Sequence, residues 1–482
     1  MHICTQNTIA MKYFLFSVFF IVAGFVAVQA QYTSDVHKIF GSPYSSSVNC
    51  ICTDAAGNTY LAGEFNKSLL MGPYKYKDRW GGFIAKLDVT NEVIWMKRAD
   101  MQIRNLELMD SLLIVFAQNT RTLSFAGTPI SYTGENYMAL LASVSAATGT
   151  VKWTREITGS LDVFAADMAV SGKDICVAGA FRETVSVDGK ILKKTHEKNN
   201  YIARFTADGK CKWLKYVSGG DSFVTGITIA AIAVNQYGDL AITGELNGSA
   251  DFAGKCYDVA ELKNAKTIVT GDAFVYIAYF DAEGNVLRVH RAISEAQVTD
   301  IAFNKDQVYL CGFYTGAYLP QQPGAFSVFG DTSRINAVLN DKGGLLESWY
   351  VLSFRGNEPL WCYTTTGKNS SRPLSIVADN EGNCYTGGFF YDNIVLKDGT
   401  QFNAFSLAPF TPAMLVMKLS SKGEMLWVKT ADKATGNNKI YDVSLNHKLV
   451  TCGEISGNAM FGNFFIESRG KHQNGFTFKF DL

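Results

Sequence analysis

One two-part pattern recurs along most of the chain and constrains its fold more than any other feature. The first half is an apolar strand, a polar turn and a second strand that ends in glycine. Cys50-Ile51-Cys52-Thr53-Asp54-Ala55-Ala56-Gly57-Asn58-Thr59-Tyr60-Leu61-Ala62-Gly63 is one example, and Ile376 to Gly387 is another. Gly-Asn behind an acidic residue is hairpin chemistry. The closing glycine returns at Gly63, Gly179, Gly244, Gly312, Gly387 and Gly453, and Ala117 holds the place in a degenerate second copy, so seven copies are expected.

The second half is an apolar strand, a turn and a strand whose tryptophan stands four residues after the turn glycine, as in Gly149 to Trp153, Gly209 to Trp213 and Gly423 to Trp427. Asn91 to Trp95 and Asn357 to Trp361 keep the spacing, so five of the seven tryptophans occupy one position, and the fourth copy places Arg288 there. Four strands repeated every 55 to 75 residues, roughly, suit a propeller blade better than a solenoid coil. The expected fold is therefore all-β: a single β-propeller of about seven four-stranded blades spanning residues 31–482. The tryptophan is the large residue expected to lock each blade to the next. The last copy ends at Leu482 one strand short, while Val36-His37-Lys38-Ile39-Phe40 stands unassigned before the first copy. An N-terminal strand completing the C-terminal blade would close the ring and remove two sheet edges.

Composition agrees. Phe (33) and Tyr (22) are abundant, and aromatic residues favour pleated surfaces. Lys plus Arg equals Asp plus Glu at 44 each, so no net field favours nucleic acid. Lys12, the apolar run from Tyr13 to Val28 and Val28-Gln29-Ala30 read as a signal peptide within residues 1–30, cleaved after Ala30. That run is shorter than a bilayer span, so the mature chain is expected to be exported, periplasmic, cell-surface or extracellular, with no membrane span. The cysteines form no C-x-x-C pair and are expected to act as small buried hydrophobes.

The acidic-x-x-Gly-Asn hairpin, the strand-ending glycine and the Gly-x-x-x-Trp strand together resemble the bacterial β-propeller repeat family known as SBBP, over about residues 36 to 482. The resemblance implies a propeller and is nearly silent on activity, since that family is generally of unknown or scaffold-like role. The Gly-x-x-x-Trp strand also looks like the docking repeats of pyrroloquinoline-quinone dehydrogenases, but the adjacent cysteines those enzymes carry over their cofactor are missing. Ser420 to Trp427 is similar to a sialidase Asp-box but lacks its acid. The six histidines show no ligand-pair spacing, Asp379 to Asn383 is a hairpin turn rather than a calcium loop, and no P-loop or Gly-x-Ser-x-Gly is present. No metal, cofactor or catalytic residue is assigned.

Function then falls to the loops. The connection between second and third strands reads as short in copies one to three and long at Ser249–Asp272, Tyr318–Ser348 and Asp392–Pro412, which marks three neighbouring blades as decorated. The expected ligand-binding residues are Asp221 in a Gly-rich inter-blade loop, Lys368 and Arg372 in the loop before copy six, and Tyr391, Asp392 and Asn393 opening a long connection. They imply a non-catalytic binding or scaffold propeller that takes a protein or glycan on one face. A carbohydrate-active hydrolase or lyase with carboxylates converging in the central funnel is the reading from another class.

Overall fold

The computed structural model describes residues 36–40 and 44–480, apart from 120–123, 133, 197, 221–225, 258–273, 295, 315–317, 320–321, 324, 328–333, 337–345, 405–410, 433, 462–463 and 469–471. Seven antiparallel sheets succeed one another in sequence, with no helix among the described residues. Their inner strands are Ser46–Thr53, Gln102–Met109, Val163–Ser171, Ala231–Val234, Ala296–Asn304, Ser371–Ala378 and Asn438–Leu445, for blades 1 to 7. The protein is a seven-bladed β-propeller.

The ring closes as the sequence predicts. Val36–Phe40 pairs antiparallel with Asn474–Phe480, from Val36 opposite Lys479 to Phe40 opposite Gly475, and becomes the outer strand of blade 7. The first and last described strands thus share one sheet, and the outward ladder edge of Asn474–Phe480 is paired by Val36–Phe40 as the outer strand.

A β-bulge explains the closing glycine. In blades 1, 2, 3, 5, 6 and 7 the inner strand shifts register near its start, for example between Ala165 and Asp167 and between Val298 and Asp300. The shift turns an inner-strand carbonyl onto the paired glycine. A Cβ on Gly63, Gly179, Gly312 or Gly453 would lie within 2.0 Å of that oxygen. In copy six the residue in this position is Gly388, opposite Pro373, one place beyond the glycine taken from the sequence.

The tryptophans are the expected inter-blade locks. Trp95, Trp153, Trp213 and Trp361 each lie on the turn glycine of the following blade, Gly149, Gly209, Gly284 and Gly423, so closely that a Cβ there would stand 2.6 to 3.0 Å from the indole. Each also donates its indole N–H to a carbonyl of that turn: Ala146 (3.2 Å), Ala207 (3.0 Å), Ala282 (2.9 Å) and Ser421 (2.9 Å). Arg288 plays the part in blade 4. Its guanidinium lies 4.1 Å from the Tyr279 ring centroid, with Gly356 beyond it.

The decoration read from the sequence is corrected. Short hairpins follow the second strand in blades 2, 3 and 7 as well: Ser124–Phe125 with Thr128–Pro129, Thr184–Val187 with Lys190–Lys193, and Asn458–Phe461 with Phe464–Glu467. In blade 1 the second and third strands extend to Met71 and Tyr74. These hairpins lie against the outer strand of the preceding blade, as Phe125 does opposite Ala99, Phe252 opposite Val217 and Phe461 opposite Ala431. Phe125, Val187, Phe252 and Phe461 are buried there, so burial of an aromatic or branched side chain holds each hairpin down. The sequence signal was a buried residue before a two-residue turn at positive φ, Ala126-Gly127, Asp188-Gly189 and Ala253-Gly254.

Candidate functional site

The seven inner strands surround a central channel enclosing about 530 Å³. The residue just after each bulge faces its neighbours around the ring, and in alternate blades it is an aspartate: Asp167, Asp300 and Asp442. Each carboxylate reaches the next blade. Asp167 accepts from Ile232 N, Asp300 from Ile376 N and Asp442 from Ile51 N, all at 2.8 Å. The second oxygen of each is held as well. Asp167 Oδ1 accepts from Asn105 Nδ2 (2.5 Å) and Met168 N (2.8 Å), Asp300 Oδ1 from Ile301 N (2.7 Å), and Asp442 Oδ1 from Ser375 Oγ (2.7 Å) and Val443 N (2.8 Å). Cys50 Sγ donates to Arg104 O (3.1 Å) across the junction from blade 1 to blade 2. These bonds form a belt that joins six of the seven pairs of neighbouring blades around the channel, and neighbouring hydrogen bonds polarise one another.

One turn further along blade 2, Glu107 projects into the same channel beside Asp167, its carboxylate accepting the backbone N–H of Val170. The protein walls strip water from it, and the nearby Asp167 and Asp442 add like charge, so its carboxyl is pushed up to about 8. Asp442 is pushed up to about 7 for the same leading reason, and Asp167 and Asp300 are also raised by burial, against the backbone N–H groups that favour their charged form. Glu107, half-buried in the channel wall, is thus shifted towards its protonated form. Among the described residues no three His, Cys, Asp or Glu side chains gather as a metal cage, and none of the cysteines forms a disulfide.

The aspartate belt escaped the sequence reading, although Asp167-Met168-Ala169-Val170, Asp300-Ile301-Ala302-Phe303 and Asp442-Val443-Ser444-Leu445 repeat an acid inside an apolar inner strand. An acid at that register in a strand otherwise facing other blades was the available signal.

Five of the residues expected to bind ligand come together at the junction of blades 5 and 6. Lys368 is exposed, and its backbone N–H donates to Asn393 Oδ1 (2.6 Å). Asn393 is buried, while the exposed Asp392 accepts from Asn369 Nδ2 (2.9 Å). Tyr391 N donates to Ser370 O (2.9 Å), and the Tyr391 ring meets Phe389 edge-on at 5.6 Å. Arg372 pairs with Glu347 through two guanidinium nitrogens and lies over Phe313, 4.5 Å from its centroid. Asp221 lies outside the described residues.

Fold and channel together define a closed, seven-bladed propeller whose blades are stitched by aspartates inside and tryptophans outside. No family model matches the chain, and no curated protein matches it. Among solved structures it is similar to BamB from Moraxella catarrhalis at 11% identity, with 94% of this chain and 100% of that one covered and a TM-score of 0.34. The quinohemoprotein alcohol dehydrogenase from Comamonas testosteroni is matched at 10% identity over 92% and 76% of the chains, with a TM-score of 0.38. The propeller domain of the Trilobed protease from Pyrococcus furiosus is matched at 11% identity over 78% and 95%, with a TM-score of 0.34. No described helix is long and apolar enough to cross a membrane.

Proposed function

We propose that this chain is an exported, non-catalytic binding or scaffold propeller of SBBP type that takes a protein or glycan at its rim, where blades 5 and 6 meet. The observation that carries this reading is the engagement of the channel aspartates. Both oxygens of Asp167, Asp300 and Asp442 accept hydrogen bonds from the protein itself, so these carboxylates serve as clips between blades rather than as a catalytic pair. At the rim, by contrast, Lys368 and Asp392 present opposite charges to solvent on loops fixed to each other by Asn393 and Asn369. Tyr391 adds a ring edge beside them, and an aromatic next to paired polar groups suits a sugar or a peptide. Asp221, named from its Gly-rich loop in the sequence, belongs to the same proposal. Export rests on the leader at residues 1–30.

The test is a glycan array and an envelope-protein pull-down with the wild-type chain and a Lys368→Ala/Asp392→Ala variant. Binding should fall at least tenfold in the variant with its melting temperature unchanged. Equal binding by both proteins refutes the rim assignment, and turnover of a bound glycan refutes the non-catalytic reading. One observation favours a carbohydrate-active hydrolase or lyase instead, the carboxyls of Glu107 and Asp167 lining the same channel, and loss of any such turnover in Glu107→Gln would establish it.

A further inference from the structure

The junctions between blades repeat one arrangement, and the junction that closes the ring departs from it. In blade after blade, the outer-strand residue paired with the polar position of the third strand is the locking residue: Trp95 opposite Lys86, Trp213 opposite Arg204, Arg288 opposite Tyr279 and Trp427 opposite Lys418. In blade 7 the same register places Val36 opposite Lys479. On the second strand, the position held by Tyr60 in blade 1 and Tyr385 in blade 6 is Val450. In blades 1, 5 and 6 these two positions hold a tyrosine and a tryptophan, and at the closing seam both are valine.

A cavity of about 230 Å³ lies at this seam. Its walls are Ala55, Ala56, Gly57 and Val89 of blade 1, facing Val450 and Lys479 of blade 7. Val89 holds the place that Ala207, Ala282 and Ser421 hold at the other junctions, two residues before the turn residue, here Asn91 at φ 64. The carbonyl that accepts an indole N–H elsewhere is Val89 O. Lys479 Nζ approaches it at 3.3 Å, together with Asp88 O (3.3 Å) and Gly57 O (3.4 Å). These long contacts leave lone pairs for a second donor, since a carbonyl oxygen accepts two hydrogen bonds. His447 and Lys448 stand at the edge of the cavity.

We infer that this seam is a tryptophan socket without its tryptophan, and that it binds a small planar aromatic with one ring N–H, the indole nucleus. The four filled indole junctions define what such a socket takes: a flat bicycle against the turn, with its N–H on the turn carbonyl. The volume suffices, because apolar cavities of about 150 Å³ already admit benzene.

Calorimetric titration of the full chain with indole tests this, alongside the variants Val36→Trp, which places a tryptophan at the register of the other locks, and Val450→Phe, which enlarges a residue lining the cavity. Indole should bind the wild type, and each filled variant should bind it at least tenfold more weakly while melting no lower than the parent. Equal binding by a filled variant places the indole elsewhere and overturns the inference, as does the absence of binding to the wild type.

Discussion

Replacing Trp95 by alanine probes the lock between blades 1 and 2. Trp95 is 5% exposed, lies on Gly149 and donates its N–H to Ala146 O at 3.2 Å. A buried aromatic of this size removes about 150–250 Å² from water, worth about 4–6 kcal/mol at roughly 25 cal/mol per Å². Measured truncations of buried Trp cost about 3–5 kcal/mol because the site partly relaxes. Loss of the partner of the Ala146 carbonyl adds about 1 kcal/mol, so about 4 kcal/mol is expected for Trp95→Ala. Trp95→Phe keeps most of the apolar contact and loses the hydrogen bond, for about 1–2 kcal/mol. Trp80 is 39% exposed and serves as the control, with about 0.5 kcal/mol expected for Trp80→Ala. With an unfolding entropy of about 2.1 cal/mol/K per residue over a ring of roughly 440 residues, each kcal/mol moves the melting temperature by about 1 °C. Urea unfolding followed by circular dichroism should therefore rank Trp95→Ala well below the parent, with Trp95→Phe between them and Trp80→Ala at the parent value. If Trp95→Ala costs no more than Trp80→Ala, the inter-blade lock is wrong. If Trp95→Phe costs as much as Trp95→Ala, the hydrogen bond rather than the packing carries the junction.

Replacing Val36–Phe40 by a Gly/Ser run of equal length removes five ladder pairs and the outer strand of blade 7, so the melting temperature should fall by several degrees in one cooperative step; a change within about a degree refutes closure by this strand. Glu107 supplies a pH test. Its folded carboxyl, raised by burial to about 8 from an ordinary value of 4.5, keeps a proton that the unfolded chain releases, so it costs the wild type stability as pH rises between these values. Glu107→Gln cannot titrate, and its stability relative to the wild type should climb from pH 4.5 to 8 and stay level outside that window; a difference independent of pH refutes the assignment. Lys479 has the opposite sense. Burial lowers its amine to about 8, so the wild type gains stability as pH rises from 8 towards 10.5, and the advantage of Lys479→Met at pH 7 should vanish over that range in parallel urea titrations.

Much of this was legible in the chain itself, because it depends on short stretches of sequence. Hairpin turns, the closing glycine, the tryptophan spacing and the orphan strand Val36–Phe40 are local signals, and they determined an all-β ring of seven blades and the way it closes. The rim cluster was half legible: Lys368, Arg372, Tyr391, Asp392 and Asn393 were named from loop composition, but only the fold revealed that Asn393 is buried and holds the loops together and that Arg372 is tied to Glu347. The aspartate belt and the seam socket were decided by tertiary structure alone. Asp442 meets Ile51 across 391 residues, and Lys479 meets Gly57 across 422, contacts that exist only when the first and last blades become neighbours. Burial then sets their chemistry. A carboxyl that would be an ordinary surface acid on an open strand has its pKa raised once seven strands crowd around it and other carboxylates line the same channel.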